Sequence, residues 1–206
     1  RHAYGERVHD GRSYAGYVVR RFGRLWPLHI SVLLGFVLLF VLMAWANGET
    51  PKFEGAFSGQ AFVANVFLVH SLDLFNHLTW NGPSWSISTE FATYLVFGLL
   101  LVTVPRPRQV AVFAAVAALS AGLLTWKSPV FINATYHLGI LRCFYGFFAG
   151  CCVHALVQAR PLVLDAARGT ALEVLVTLGT ILFVALLGAT KSSLYAPLVF
   201  AVVVYA

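Results

Sequence analysis

The sequence predicts an all-α fold, a polytopic transmembrane helix bundle with about six spans and one short re-entrant segment. Of the 206 residues, 59% are hydrophobic and only 11% are charged, and the mean hydropathy is +0.79. Soluble domains average roughly 25% charged residues, so this composition indicates a membrane protein. Several apolar runs approach the length of about 20 residues that a helix needs to cross the hydrocarbon core. The predicted spans are Pro27–Ala46, Trp85–Val104, Val110–Trp126, Leu138–Val157, Ala171–Ala189 and Leu194–Ala206.

The orientation of the first two spans in the membrane follows from the distribution of basic residues. Ten of the fourteen Lys and Arg residues lie before the first span or in the loops after the second and fourth spans. The positive-inside rule assigns these segments to the cytoplasm, so the net charge of +6 does not indicate a nucleic-acid partner. Pro27–Ala46 then runs outward. Trp85–Val104 must run inward, because it delivers Arg106 and Arg108 to the cytoplasmic side.

The segment between these two spans must therefore begin and end on the outer side. It contains the apolar run Gln60–Leu72, which is too short to cross a bilayer. We expect this run to enter the membrane and return.

The remaining spans are joined by short loops, and no internal repeat or low-complexity linker is visible. Pro105 and Pro107 predict a tight turn between the second and third spans. We expect residues 1–206 to form a single membrane domain that is truncated at both ends, since no signal peptide is visible and the last run is still apolar at Ala206. Any chemistry must then come from groups in or beside the bundle.

An arginine cluster precedes the first span, in VVRRFGRLWPLH, residues 18–29. Arg20 and Arg24 are four residues apart and share a helix face, and Arg21 lies beside them. One interpretation is a cytoplasmic anchor that binds lipid phosphates. The alternative is a site for a phosphorylated cytoplasmic ligand, because guanidinium groups bind phosphate oxygens bidentately.

A carboxylate lies on the second span, in WNGPSWSISTEFATYLVF, residues 80–97. Ser86 and Glu90 form an i, i+4 pair that can hydrogen-bond. On a helix they share a sector of about 100° with Thr93, Tyr94 and Phe97, and such a polar stripe faces a bundle interior or a wet cavity. Glu90 either belongs to a functional cavity or forms a structural ion pair with an arginine.

Arg142 is the other charged residue inside a span, and it has no acidic residue at i±3 or i±4. Its partner must lie on another element, with Glu90 the obvious candidate, or be a ligand. The cysteines and the other histidines show no metal-ligand spacing, so no metal site is predicted. His29 alone is typical of a hydrogen-bonded structural group, and His70 is uninformative by itself.

Several sequence segments together resemble the acyltransferase 3 family, which comprises bacterial integral-membrane proteins that O-acylate carbohydrates and related acceptors. The matching parts are RRFGRLWPLH, NVFLVHSL with Asn65, PSWSISTEF and LRCFYGFFAG, in the family's order. In the family, a Trp-Ser pair is typically followed by a glutamate four residues after the serine, as here. The chain departs from the family at Thr89 and at Phe91–Ala92, where a more acidic or glutamine-containing run is common.

The resemblance implies transfer of an acyl group, usually acetyl, from cytoplasmic acyl-CoA to a hydroxyl of a carbohydrate-containing or glycolipid acceptor. Arg20, Arg21 and Arg24 would then contact the acyl-CoA phosphates or help shape the entry of acyl-CoA. Ser86 and Glu90 would line the inner cavity as catalytic residues, with Trp85 and Arg142 as further binding residues. No bound cofactor is expected, because acyl-CoA is a co-substrate. The family's general base is a histidine on a helix that should precede Arg1, so we expect this chain to be inactive by itself.

The expected location is the bacterial inner (plasma) membrane, with the bilayer as a partner, several passes and cytoplasmic Arg-rich loops. Two other functions compete with acyl transfer. The first is a transporter or flippase whose interior charges bind a polar solute, and the second is a structural membrane subunit whose charges only set topology.

Overall fold

The computed structural model describes residues 8–128, 134–159, 166–186 and 196–197. Within these residues the fold is all-helical and contains no strand. Short 3-10 turns occupy Gly55–Phe57 and Gly82–Ser84. The helices are α1 (Gly11–Ala46), α2 (Gly59–Val66), α3 (Trp85–Thr103), α4 (Arg106–Lys127), α5 (Gly139–Ala159) and α6 (Ala166–Leu186).

Four helical segments are long and apolar enough to cross a membrane: Gly11–Ala46, Gly82–Thr103, Arg106–Lys127 and Gly139–Ala159. The all-helical fold and these four segments are consistent with the predicted membrane helix bundle. The count of about six spans is not confirmed. The fifth predicted span falls on α6, whose apolar part, Gly169–Leu182, is shorter, and nearly all of the sixth lies outside the described residues.

Helix α1 begins sixteen residues before the predicted span. Asp10 caps it, since the Ser13 N–H donates to Asp10 Oδ1 at 2.7 Å while the Asp10 N–H donates to Ser13 Oγ at 3.0 Å. Its 36 residues correspond to about 54 Å, well beyond the hydrocarbon thickness of about 30 Å. Pro27 lies inside the helix and contributes no N–H there. The arginine cluster is thus helical and continuous with the first span.

Helices α1 and α3 pack against each other in antiparallel directions. The Tyr14 hydroxyl donates to the Leu95 carbonyl at 3.2 Å, and Phe22 meets Phe91 with ring centroids 5.6 Å apart. Residue numbers therefore rise along α1 as those of its α3 neighbours fall. This is the order predicted from charge, in which the second span returns to the side where the first began.

The segment between α1 and α3 runs down α1 and comes back. Phe57 stacks on Phe40 at 4.6 Å, the Trp26 indole N–H donates to the Val66 carbonyl at 3.0 Å, and Trp80 returns to within 5.7 Å of Phe40. Trp26 and Phe40 are fourteen residues apart, or about 21 Å along the helix. Helix α2 has only eight residues. The segment thus runs along α1 in one direction and then back in the other. That this path lies inside a bilayer stays a prediction.

The chain divides into two compact units. The first comprises Arg1–Pro105 and Thr135–Cys143, and the second comprises Arg106–Ala134 and Phe144–Ala206. In the second unit, Phe113 of α4 lies 5.5 Å from the fully buried Phe148 of α5. The first unit contains all seven residues that the sequence singled out for function. The prediction of one domain stays a prediction.

Candidate functional site

The arginine cluster divides into one enclosed and two exposed residues. Arg21 is half-buried, and its guanidinium carbon lies 4.5 Å from the ring centroid of Tyr94 and 5.4 Å from that of Tyr17. Arg20 and Arg24 are exposed one helical turn apart. A guanidinium over aromatic faces is held by cation–π attraction. Arg21 therefore ties α1 to α3, while Arg20 and Arg24 are accessible to a ligand.

Glu90 accepts a hydrogen bond from the Tyr94 hydroxyl one turn further along α3. Because Arg21 lies over the Tyr94 ring, the carboxyl, the phenol and the guanidinium form one connected group. Among the described residues, the ion pairs join His9 to Asp10 and His137 to Asp73, so the Glu90–Arg142 pair considered from the sequence is not observed.

Arg142 instead lies over Trp85, with its guanidinium carbon 5.2 Å from the ring centroid. Both side chains are half-buried. Gly139 makes this approach possible, since a Cβ there would lie 3.3 Å from two carbons of the Trp85 ring. The fold thus brings together two predicted binding residues that are 57 positions apart in the chain.

Ser86 lies apart from Glu90. It is exposed, and its hydroxyl donates to the Pro83 carbonyl at 3.3 Å. The buried polar face of α3 is formed by Ser88, Thr89 and Thr93. The Thr93 hydroxyl lies 2.7 Å from the Thr89 carbonyl and 3.1 Å from Cys143 Sγ. Polar residues therefore do share one face of α3, as predicted, but Ser86 is not part of that buried face.

A buried histidine pair, which the sequence did not single out, lies next to this face. His29 and His70 have parallel rings 5.6 Å apart, at an interplanar angle of 5°, and only 1% and 3% of the two residues is exposed. His29 Nε2 is 3.0 Å from the Asn65 carbonyl oxygen, and His70 Nε2 is 3.0 Å from Ser84 Oγ. The only sequence signal was the predicted return of 60–72 within the segment between the first two spans.

Metal ligands do not gather in the part of the chain that the structure describes, where no three His, Cys, Asp or Glu residues form a group. The side chains described above offer hydrogen bonds and fixed charge. Two exposed guanidinium groups can bind an anionic ligand, a carboxyl can orient a neighbouring group, and buried imidazoles can accept hydrogen bonds.

Comparison with curated proteins finds the acyltransferase MdmB of Streptomyces mycarofaciens, which is 33% identical over 93 residues. The match covers 44% of this chain and 22% of that protein, so the chain spans about a fifth of this relative's length. No family model matches the chain, and no solved structure matches it. The similarity weakly suggests an acyltransferase.

Proposed function

We propose that this chain is the central part of a membrane O-acyltransferase that moves an acyl group from cytoplasmic acyl-CoA to a hydroxyl of a carbohydrate-containing acceptor. The observation that carries this proposal is the Arg21–Tyr94–Glu90 group. It joins the arginine motif of α1 to the glutamate of the Trp-Ser motif on α3, nearly 70 residues later. Two sequence features that resemble the family separately thus meet in space, and the distant similarity to an acyltransferase agrees with them.

The exposed arginines bind the donor in this proposal. Arg20 and Arg24 present two guanidinium groups on one face of α1, and each can bind a phosphate oxygen pair of acyl-CoA bidentately. Arg21 keeps this part of α1 against α3. The acyl thioester then lies further along the bundle, towards Trp85 and Arg142.

Transfer itself requires a proton acceptor and a stabilised oxyanion. The acceptor oxygen forms a bond to the thioester carbonyl carbon as its proton passes to a base, and the C–S bond then breaks to release CoA. The family resemblance implies that this base is a histidine of the family's first transmembrane helix, and in this proposal Glu90 would orient it. Guanidinium donors such as Arg142 stabilise the negative charge that develops on the carbonyl oxygen.

The test uses the full-length protein in membranes with labelled acetyl-CoA. Label should move into carbohydrate with wild type, and Glu90→Gln should abolish transfer while expression stays normal. Glu49→Gln, an exposed carboxyl in the loop after α1, is the matched control and should transfer normally. Near-normal transfer by Glu90→Gln would remove Glu90 from the site. Uptake of a polar solute without transfer would favour the transporter.

The donor site has its own test. Arg20→Gln and Arg24→Gln should each raise the KM for acetyl-CoA by about 10- to 100-fold, the loss of one charge-assisted hydrogen bond. Arg12→Gln, an exposed arginine in the first turn of α1, should leave KM unchanged. Equal KM values in all three variants would make the cluster a lipid anchor instead.

A further inference from the structure

The start of α5 is held by a side chain from a distant part of the chain. Leu138 directly precedes α5, and its carbonyl accepts the backbone N–H of Arg142 at 3.3 Å. A leucine side chain has no oxygen with which to cap a helix. Asp73, which lies 65 positions earlier, approaches this end instead, and its Oδ1 accepts the Leu138 N–H at 3.1 Å. The carboxylate is also favourably placed for the positive end of the helix dipole.

The backbone at this contact is unusual. Leu138 and Asp73 both have a φ of 57°, in the left-handed region. Aspartate adopts this region far more readily than leucine. A leucine is found there only where the surrounding contacts determine its conformation. Leu138 is only 8% exposed, and its N–H is bonded to Asp73 while its carbonyl is bonded to the first turn of α5. Asp73 therefore helps to fix the conformation in which α5 begins.

Asp73 is itself anchored to α3. Two residues earlier, the Ser71 N–H donates to Ser88 Oγ of α3 at 3.2 Å, and both of these serines are buried. His137 Nδ1 also lies 3.1 Å from Asp73 Oδ1, but the two side chains are 65% and 41% exposed. Exposed ion pairs contribute little to stability. The bond to the Leu138 N–H is therefore the contact through which residues 71–73 connect α3 to the start of α5.

The first turn of α5 determines where Arg142 lies. Gly139 fits against the Trp85 ring, since a Cβ there would lie 3.3 Å from two of its carbons. Three residues later, the Arg142 guanidinium carbon lies 5.2 Å from the centroid of the same ring. Residues at i and i+3 share a helix face. A shift or rotation of this turn would therefore move both residues relative to Trp85.

We propose that Asp73 is a positioning residue that holds the start of α5 so that Arg142 stays over Trp85. Its role in transfer rests on the proposed function, in which Arg142 stabilises the charge on the thioester carbonyl oxygen. Asp73 acts through Arg142 and does not itself touch the reacting atoms. Because displacement of a catalytic group by about 1 Å can cost about 100-fold in rate, loss of Asp73 should lower kcat.

The first test measures the environment of Trp85 and does not depend on transfer. Full-length protein in lipid nanodiscs is labelled with fluorotryptophan, and the fluorine resonance of Trp85 is assigned by its loss in Trp85→Phe. Asp73→Gly allows the left-handed conformation but removes the acceptor, whereas Asp73→Asn keeps an oxygen at the same position. We expect the Trp85 resonance to move in Asp73→Gly towards its position in Arg142→Gln, and to stay in place in Asp73→Asn.

His137→Gln is the matched control, because it removes the exposed ion pair and keeps the Leu138 N–H. Its Trp85 resonance should match wild type. An unchanged resonance in Asp73→Gly, or an equal shift in His137→Gln, would overturn the proposal. If Asp73→Gly is not produced in membranes, Asp73→Ser gives the same comparison, because its side chain is too short to reach the Leu138 N–H.

The second test is a double-mutant cycle on transfer from labelled acetyl-CoA. Asp73→Gly should lower kcat by roughly 10- to 100-fold with an unchanged KM for acetyl-CoA, and Asp73→Asn should restore most of the loss. In an Arg142→Gln background, Asp73→Gly should cause no further loss, since no guanidinium is left to position. Additive losses would overturn the proposal. Absence of transfer in wild type would refute the proposed function and leave the fluorine NMR result valid.

Discussion

Gly98 on α3 should be the least substitutable glycine at the α1–α3 contact. A Cβ at this position would lie 2.8 Å from one carbon of the buried Tyr17 ring and 2.9 Å from a carbon of the Tyr14 ring. Ordinary carbon–carbon contacts are about 3.5–4.0 Å, so the two helices would have to separate by about 0.7 Å or the rings would have to turn. Tyr17 is only 1% exposed, which leaves its ring little room to move.

The magnitude of the effect of Gly98→Ala combines two opposing contributions. Overpacking of a tight contact costs about 1–3 kcal/mol, while Gly to Ala in a helix gains up to about 1 kcal/mol. We therefore expect a net loss of up to about 2 kcal/mol, or up to roughly 8 °C in Tm for a chain of this size, and a loss of about 1–3 kcal/mol relative to a Gly→Ala change where there is free space.

Thermal unfolding in detergent, followed by size-exclusion chromatography, measures this loss. Gly35→Ala on α1 is the matched control, since a Cβ there meets nothing within 4 Å and the variant should be at least as stable as wild type. If the two variants have equal Tm values, the described packing of α1 against α3 is wrong.

Two further predictions concern groups around the site. Tyr94→Phe keeps the ring but removes the hydrogen bond to Glu90, and it should lower the free energy of unfolding by about 1–2 kcal/mol; an unchanged Tm would contradict that bond. Trp85→Leu removes the cation–π contact with Arg142 and should lower the free energy of unfolding by about 0.5–2 kcal/mol in the same assay. A smaller loss would argue against the contact.

The helices could be predicted from the sequence where contact with lipid requires apolar side chains. Apolar runs indicated α3, α4 and α5 to within a few residues at most ends, because a spanning helix must present apolar side chains to lipid. The start of α1 was not predicted, since hydropathy reports burial in lipid and not helical backbone. Its first sixteen residues carry four arginines, and they are helical because Asp10 caps them and their tyrosines pack on α3.

The site was predictable only within single helices. The i, i+4 spacing grouped Glu90 with Tyr94, and these two do meet. Ser86 lies in the first turn of α3, where its hydroxyl reaches back to the Pro83 carbonyl. The histidine pair depends on the path of residues 67–84. That path turns at Leu68, Asp73 and Trp80, which have positive φ angles of 58°, 57° and 31°, and none of the three is a glycine that would indicate such a turn.

The exposed arginines and the buried His29 lie on the same helix, α1, and their separation restricts the ligand that could reach both. Arg20 and Arg24 precede His29 by nine and five residues, or about 13 Å and 8 Å along the helix axis. A compact phosphate at the arginines cannot reach the buried histidine. Acyl-CoA is extended and carries its phosphates at the end opposite the thioester, so it can be held at the arginines while its acyl group lies deeper along the bundle. Under the proposed function, the same distance keeps the negative phosphates away from the buried His29 and His70 rings.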